Sequence, residues 1–64
     1  MIGTKIKKYL DERGIKYKTI AEKANIENSI FSVILNEKRK LSAEEYFEIC
    51  KALDVNASYF SDIA

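Results

Sequence analysis

The 64-residue chain contains no histidine, no tryptophan and no proline, and it has a single cysteine. Without histidine the commonest metal ligand and general base is missing, so we expect no metal, no cofactor and no enzyme. Cys50 cannot form an intramolecular disulfide, and its place on an apolar helical stripe predicts a small buried side chain. No apolar run approaches the roughly 20 residues of a membrane span, and the first residues lack the apolar stretch of a signal peptide. We therefore expect a cytoplasmic protein.

The sequence also lacks linkers, repeats and low-complexity segments, and it has only two glycines. We predict a single domain over residues 1–64. A chain of this length buries only about 60% of the surface that its unfolded form exposes. Its core must be small, which excludes a large enzyme cavity with its own walls.

The net charge of +1 conceals an uneven distribution. Residues 1–41 carry ten basic and five acidic side chains, whereas residues 42–64 carry one basic and five acidic side chains. A basic pole on a small domain favours a polyanionic partner. A solvated surface whose charges segregate by chance would give the same distribution.

Apolar residues recur at helical spacing rather than in alternation, which predicts an all-α fold of five short helices. These helices are expected over residues 2–13, 17–24, 28–36, 43–53 and 57–62. Gly14 is suited to the left-handed residue that ends the first helix. Ser42 and Glu45 form a predicted capping box at the fourth helix, and Asn56 is the predicted N-cap of the fifth. The predicted inward residues are Ile2, Ile6, Tyr9, Leu10, Ile20, Ala21, Ala24, Phe31, Ile34, Leu35, Tyr46, Ile49, Cys50 and Leu53.

The second and third helices are separated by a three-residue turn, which is the spacing of a helix-turn-helix motif. Ala21 supplies the small residue where the two helices cross. Asn25 tolerates the positive φ that the turn requires, and Ile26 can attach the turn to the core. The third helix would then expose a compact, uncharged face formed by Asn28, Ser29, Ser32 and Val33.

Basic residues flank this uncharged face on both sides in the sequence. Small polar groups suit the edges of DNA bases, whereas cations suit phosphates. Any one of these residues alone favours an ordinary amphipathic helix with a polar outer face, but the joint pattern does not. The flanking cations are Lys16, Lys18, Lys38, Arg39 and Lys40.

With these features in place, residues 2–60 resemble the Cro and lambda-repressor-like helix-turn-helix family, also called the xenobiotic-response-element family. The resemblance rests on residues 15–26 (IKYKTIAEKANI), 36–40 (NEKRK) and 49–55 (ICKALDV). It implies a five-helix lambda-repressor-like DNA-binding domain. It also implies a transcriptional regulator, of phage, prophage or bacterial repressor type, that reads double-stranded DNA in the major groove.

The resemblance assigns roles to individual residues. Base reading falls to Asn28, Ser29, Ser32 and Val33, and asparagine can bind adenine N6 and N7 together. Phosphate contacts fall to Tyr17, Asn36, Lys38 and Lys40; charge alone adds Lys16, Lys18 and Arg39. Family members commonly bind as two-fold dimers through the C-terminal helix. The expected homodimer contacts are Val55, Tyr59, Phe60 and Ile63.

The sequence departs from the family pattern at the helix starts and after the third helix. Lys16 and Glu27 occupy positions where the family has Ser or Thr caps. If Asn28 caps the third helix instead, its amide is not free to read a base. Glu37 replaces a glycine, so we expect Asn36 to adopt the left-handed conformation.

Leu10 and Leu35 replace a partly buried ion pair that many family members carry. We expect this change to be neutral or stabilising, because a well-packed apolar pair avoids the desolvation of two charges.

A second functional hypothesis uses the same fold as a protein-interaction module, of antitoxin-like or adaptor type. Its binding surface would be the acidic, aromatic C-terminal half, where Phe47 and Tyr59 are predicted to be partly exposed. The two hypotheses differ in their response to salt, because binding to DNA phosphates weakens steeply as salt rises.

Overall fold

The computed structural model describes residues 2–60, and four helices form within that range. They are α1 (Ile2–Arg13), α2 (Tyr17–Lys23), α3 (Asn28–Leu35) and α4 (Ala43–Leu53). The described residues include no strand, so the predicted all-α class is confirmed. None of the helices described here has the length and apolar character that a membrane crossing requires.

The predicted fifth helix is not confirmed. Residues 57–60 form turns and bends, and residues 61–62 of the predicted helix lie outside the described residues. The Asn56 carboxamide oxygen accepts hydrogen bonds from the Ser58 backbone N–H and hydroxyl, both at 3.0 Å, so a cap-like turn does form. The Tyr46 hydroxyl donates to the Ala57 carbonyl, and Phe60 enters the core. A segment this short is a marginal helix, and tertiary contacts decide its path.

The core is wholly apolar within the described residues. Leu10 and Leu35, which replace the family's ion pair, are 0% and 1% exposed, so this site is filled by aliphatic side chains. Most of the predicted inward residues of α1 to α4 are confirmed as buried. Ile2, Tyr9, Tyr46 and Leu53 are only partly buried. The buried apolar residues that form this core are Ile6, Leu10, Ile20, Ala21, Ala24, Phe31, Ile34, Leu35, Ile49, Cys50 and Phe60.

The turns that connect the first three helices adopt the conformations that their residues predict. Gly14 has φ 65°, and Asn25 has φ 59°. The Ile26 backbone N–H donates to the Ala21 carbonyl at 2.8 Å, which closes α2 and brings Ile26 against the core. Because α2 packs against both α3 and α4, and α1 packs against α3, α3 is held on one side while its opposite side faces solvent.

Helix α1 approaches the end of α3 closely at Gly3. A Cβ atom at this position would lie 2.3 Å from the Ile34 carbonyl oxygen, a distance that no real Cβ contact tolerates. Gly3 is buried. The absence of a side chain at Gly3 therefore lets the start of α1 lie directly against the end of α3, where the next loop begins.

Candidate nucleic-acid interface

The outer face of α3 carries the four residues that the sequence predicts to read bases. We call Asn28, Ser29, Ser32 and Val33 the recognition face. All four are exposed, and Val33 retains 37% of its accessible surface. Residues four apart on a helix lie on the same side, so Asn28 is adjacent to Ser32 and Ser29 is adjacent to Val33. The face is compact and carries no charge.

The start of α3 keeps the Asn28 side chain available. Glu27 is the N-cap residue, with φ −60° and ψ 138°, and it makes no side-chain capping bond. Asn28 is the first helical residue, so it does not take the cap position that the alternative assigned to it. Within residues 2–60 its carboxamide has no hydrogen-bond partner. The Asn28 carboxamide, which has two donor hydrogens and one acceptor oxygen, therefore remains free in solvent at the start of α3.

Ser29 has a local partner. Its hydroxyl donates to the Glu27 carboxylate at 2.8 Å, which uses its one proton and leaves its lone pairs free to accept. Glu27 thereby places a negative charge beside the recognition face, where it opposes a nearby phosphate.

One exposed apolar residue of α3 was missed by sequence reasoning. Ile30 is 38% exposed and lines a groove of about 480 Å³ between the α2–α3 turn and α4. Its spacing of three residues from Val33 was the available signal. Four glutamates line the same groove: Glu27, Glu44, Glu45 and Glu48. The side of α3 that faces α4 is therefore acidic, and it is an unfavourable surface for phosphates.

Four lysines flank α3 along the chain, two before it and two after it. Lys16 and Lys18 lie at the start of α2, and Lys38 and Lys40 lie between α3 and α4; all four are exposed. In the part of the chain that the structure describes, none of them has an ion-pair partner. Within that range no carboxylate neutralises these ammonium groups.

Tyr17, a predicted phosphate contact, already has a partner. Its hydroxyl donates to the Asp11 carboxylate at 2.5 Å, and its ring packs edge-on against Phe31 with centroids 6.5 Å apart. The hydrogen bond to Asp11 raises the pKa of Tyr17 above its ordinary value. A phosphate would have to replace Asp11 as the acceptor.

The α3–α4 loop, residues 36–42, differs from the prediction in its backbone. Asn36 has φ −92°, and Glu37 instead adopts the left-handed conformation, with φ 62°. The prediction for Asn36 is therefore wrong. The reason is a long-range contact, because the Glu37 carboxylate accepts the Thr4 backbone N–H at 2.7 Å and the Thr4 hydroxyl at 2.8 Å. These bonds cap α1, offset the unfavourable φ and lower the pKa of Glu37.

Asn36 is also engaged within the chain. Its amide nitrogen donates to the Ser32 carbonyl at 2.9 Å, and its amide oxygen accepts a hydrogen bond from the Lys7 ammonium group at 3.4 Å. The side chain closes the end of α3, so any contact with a phosphate has to compete with these bonds.

Arg39 lies in a bidentate ion pair. Its two terminal nitrogens donate to the two Glu45 carboxylate oxygens, each at 3.0 Å. Glu45 also accepts the Ser42 backbone N–H at 3.0 Å, and its own N–H donates to the Ser42 hydroxyl at 3.1 Å. The predicted capping box is confirmed. The Arg39 hydrogen bonds, followed by that from Ser42, lower the pKa of Glu45. Sequence reasoning had assigned Arg39 to a phosphate from charge alone.

The predicted dimer residues lie in different environments. Tyr59 is 53% exposed, and Val55 is partly buried against the core. Phe60 is 4% exposed and packs edge-on against Tyr9, with ring centroids 5.3 Å apart, so it is a core residue rather than a surface contact. Ile63 lies outside the described residues. Phe47 is also 53% exposed, as its sequence position predicts.

Comparisons with known proteins identify the family. No significant match is found among curated proteins or among solved structures. A family model described as a Cro/C1-type helix-turn-helix DNA-binding domain matches residues 5–60, which include all of α2, the turn, α3 and α4. The chain therefore belongs to the Cro/C1-type helix-turn-helix DNA-binding domain family.

Proposed function

We propose that the chain is a sequence-specific regulator of transcription, of phage, prophage or bacterial repressor type, that inserts α3 into the major groove of double-stranded DNA. The observation that carries this proposal is the uncharged, exposed recognition face, with two exposed lysines before α3 in the chain and two after it. A major groove about 12 Å wide admits one helix, and cations at its margins meet the phosphates of the two strands.

The recognition face supplies base contacts in this proposal. Asn28 donates to adenine N7 and accepts from N6, a bidentate contact that discriminates by about 1–3 kcal/mol. Ser29 and Ser32 hydrogen-bond to base edges, and the Val33 methyl groups contact a thymine methyl. The free carboxamide of Asn28 supports its assignment as the main specificity residue.

Phosphate binding falls mainly to the four unpaired lysines, Lys16, Lys18, Lys38 and Lys40. Tyr17 and Asn36 are secondary contacts, because each must first exchange an intramolecular partner. Each neutralised phosphate releases counterions, so the logarithm of the binding constant falls by about 0.9 per phosphate for each tenfold rise in salt.

We also propose a two-fold homodimer on DNA, with Tyr59 and Val55 at the contact and Ile63 as a further candidate. The 53% exposure of Tyr59 supports this surface. A two-fold dimer would place two α3 helices about one turn of DNA apart, or 10–10.5 base pairs.

Selection of bound sites from a library of random duplex DNA tests the proposal. We expect a palindromic consensus, with half-sites about 10 base pairs apart. A variant with Asn28→Ala, Ser29→Ala and Ser32→Ala is the matched control, and it should bind duplex DNA without enriching that consensus. Failure of the unmodified chain to enrich any sequence would contradict sequence-specific recognition.

The exposed Phe47 and Tyr59 favour the second candidate, a protein-interaction module. That function predicts only weak, sequence-indifferent DNA binding. It also predicts a tight protein complex that Phe47→Ser or Tyr59→Ser disrupts. The same selection experiment therefore separates the two functions.

A further inference from the structure

The α3–α4 loop carries three consecutive cations, but they are not equivalent. Lys38 and Lys40 extend into solvent, whereas Arg39 between them is bound to Glu45 through two hydrogen bonds of 3.0 Å. The side chains of this pair are 44% and 21% exposed, respectively, so the contact is partly withdrawn from water. A bidentate arginine–carboxylate contact fixes orientation as well as distance.

Glu45 connects Arg39 to the rigid start of α4. The same carboxylate that binds Arg39 accepts the Ser42 backbone N–H, and the Ser42 hydroxyl accepts the Glu45 N–H. The guanidinium is therefore attached to a capping box and not to a mobile side chain. This attachment fixes the end of the loop that precedes α4.

The other end of the loop is fixed independently. The Glu37 carboxylate holds the Thr4 backbone N–H and hydroxyl at the start of α1, and the Lys38 backbone N–H donates to the Val33 carbonyl at 3.0 Å. Lys38 follows the first attachment, and Lys40 directly follows Arg39, the second. The backbone positions of both lysines are thus set by carboxylate contacts that their own side chains do not make.

We propose that Glu45 withholds Arg39 from DNA and uses it to hold the loop in the shape that presents Lys38 and Lys40 to phosphates. Arg39 is a positioning residue, and its charge is neutralised within the chain. A phosphate could bind Arg39 fully only by leaving Glu45 without its cation. This inference rests on the proposed DNA-binding function and replaces the assignment of Arg39 to a phosphate contact.

The dependence of DNA binding on salt distinguishes a positioning cation from one that contacts phosphate. Binding of the chain to a mixed-sequence duplex is measured between about 50 and 200 mM salt, and the slope of log K against log salt is compared among variants. Lys40→Gln, which removes a proposed phosphate contact, should make this negative slope shallower by about 0.9. Arg39→Gln should leave the slope unchanged and weaken binding about two- to fivefold at every salt concentration, because both lysines still contact phosphates in the complex and binding has only to order the loop as well.

Glu45→Gln provides the opposite test. It releases the guanidinium to bind a phosphate, so we expect the negative slope to become steeper by about 0.9. The double variant Arg39→Gln/Glu45→Gln should return the slope to that of the unmodified chain, because the released cation is no longer present. Circular dichroism and thermal unfolding of each variant establish that it is folded at the temperature of the binding measurement.

A slope that becomes shallower by about 0.9 in Arg39→Gln, as in Lys40→Gln, would overturn the inference, since it would mean that Arg39 neutralises a phosphate. A Glu45→Gln slope equal to that of the unmodified chain would also overturn it, because no cation would have been withheld. These two results leave the proposed function intact. An unmodified chain that shows no salt-dependent duplex binding would overturn both proposals together.

Discussion

The recognition face and the α3–α4 loop are neighbouring parts of the molecule, yet they are built in opposite ways. The recognition face begins at an N-cap residue that makes no capping bond, and Asn28 has no hydrogen-bond partner within the described residues. The loop is held by carboxylates at both ends, through Glu37 to Thr4 and through Glu45 to Arg39. On the face, the only side-chain hydrogen bond within the described residues is the local one from Ser29 to Glu27, whereas the loop backbone is held by contacts to other elements.

This difference suits the two kinds of contact that we propose. Phosphates lie at fixed positions along DNA, so cations on a constrained backbone set the register of the protein. Bases differ from site to site. A side chain that already makes a hydrogen bond within the protein would have to give up that bond in order to bind a base. Substitutions in the residues that hold the loop, or at the start of α3, should therefore have different effects, and we take them from the largest expected effect to the smallest.

Gly3→Ala adds a methyl group where α1 lies against the end of α3 and the start of the α3–α4 loop. Its Cβ would lie 2.3 Å from the Ile34 carbonyl oxygen, so α1 must move. Alanine gains about 0.5–1 kcal/mol over glycine inside a helix, but overpacking costs about 1–3 kcal/mol. We expect a net loss in the free energy of unfolding, measured by chemical denaturation. Lys8→Ala on the exposed side of α1 is the control, and equal stability in the two variants would contradict the close approach.

Ser42→Ala breaks the capping box at the start of α4, where the α3–α4 loop ends. The Glu45 backbone N–H loses its acceptor, and the free energy of unfolding should fall by about 1 kcal/mol. Ser32→Ala is the matched control, because this exposed α3 serine has no side-chain bond in the described residues and should be close to neutral. A Ser42→Ala variant as stable as Ser32→Ala would show that the cap contributes nothing.

Glu27→Ser supplies the cap that the recognition helix lacks. A serine at this N-cap position can accept a backbone N–H of the first turn, so we expect stability to rise by about 0.5–1 kcal/mol. Glu22→Ser inside α2 removes the same charge without creating a cap and should lower stability slightly. If thermal unfolding gives the two variants the same sign of change, the start of α3 is not limited by capping.

Acid should weaken the two carboxylate contacts that hold the α3–α4 loop. The pKa of Glu37 is lowered mainly by the hydroxyl and N–H of Thr4, and that of Glu45 mainly by Arg39. A lowered pKa in the folded state means that this stabilisation is present near neutral pH and is lost as the pH falls through the folded values, below 4.5. Glu37→Gln should flatten the acid limb of a stability–pH curve.

Glu22→Gln, which removes an exposed carboxylate that has no hydrogen bond in the described residues, is the control for that measurement. An acid limb that Glu37→Gln leaves as steep as in the unmodified chain would show that the Thr4 contact does not contribute to folding.

The parts of the fold that were predictable from the sequence depend on local or periodic signals. Apolar spacing located Ile6, Leu10 and Phe31 in the core, because burial on a helix repeats at helical intervals. The positive φ of Asn25 and the Ser42–Glu45 box followed from residue types at fixed offsets. The exposure of the recognition face followed from the same periodicity.

The parts that were not predictable depend on contacts between distant residues. The bond from Thr4 to Glu37 spans 33 positions, and it moves the left-handed residue from Asn36 to Glu37. The pairing of Arg39 with Glu45 needs the loop to fold back on the start of α4, so counting charges overestimated the free cations. Gly3 gave no local signal, since only the position of Ile34 makes its lack of a side chain necessary.

The most direct test compares Asn28→Ala with Lys40→Gln on two duplexes, the site enriched by selection and a random sequence. For Asn28→Ala we predict that the preference for the selected site falls by about 1–3 kcal/mol, while binding to the random duplex is nearly unchanged. For Lys40→Gln we predict equal weakening on both duplexes. If Asn28→Ala weakened both duplexes equally, α3 would not read bases through the recognition face, and the account would be contradicted.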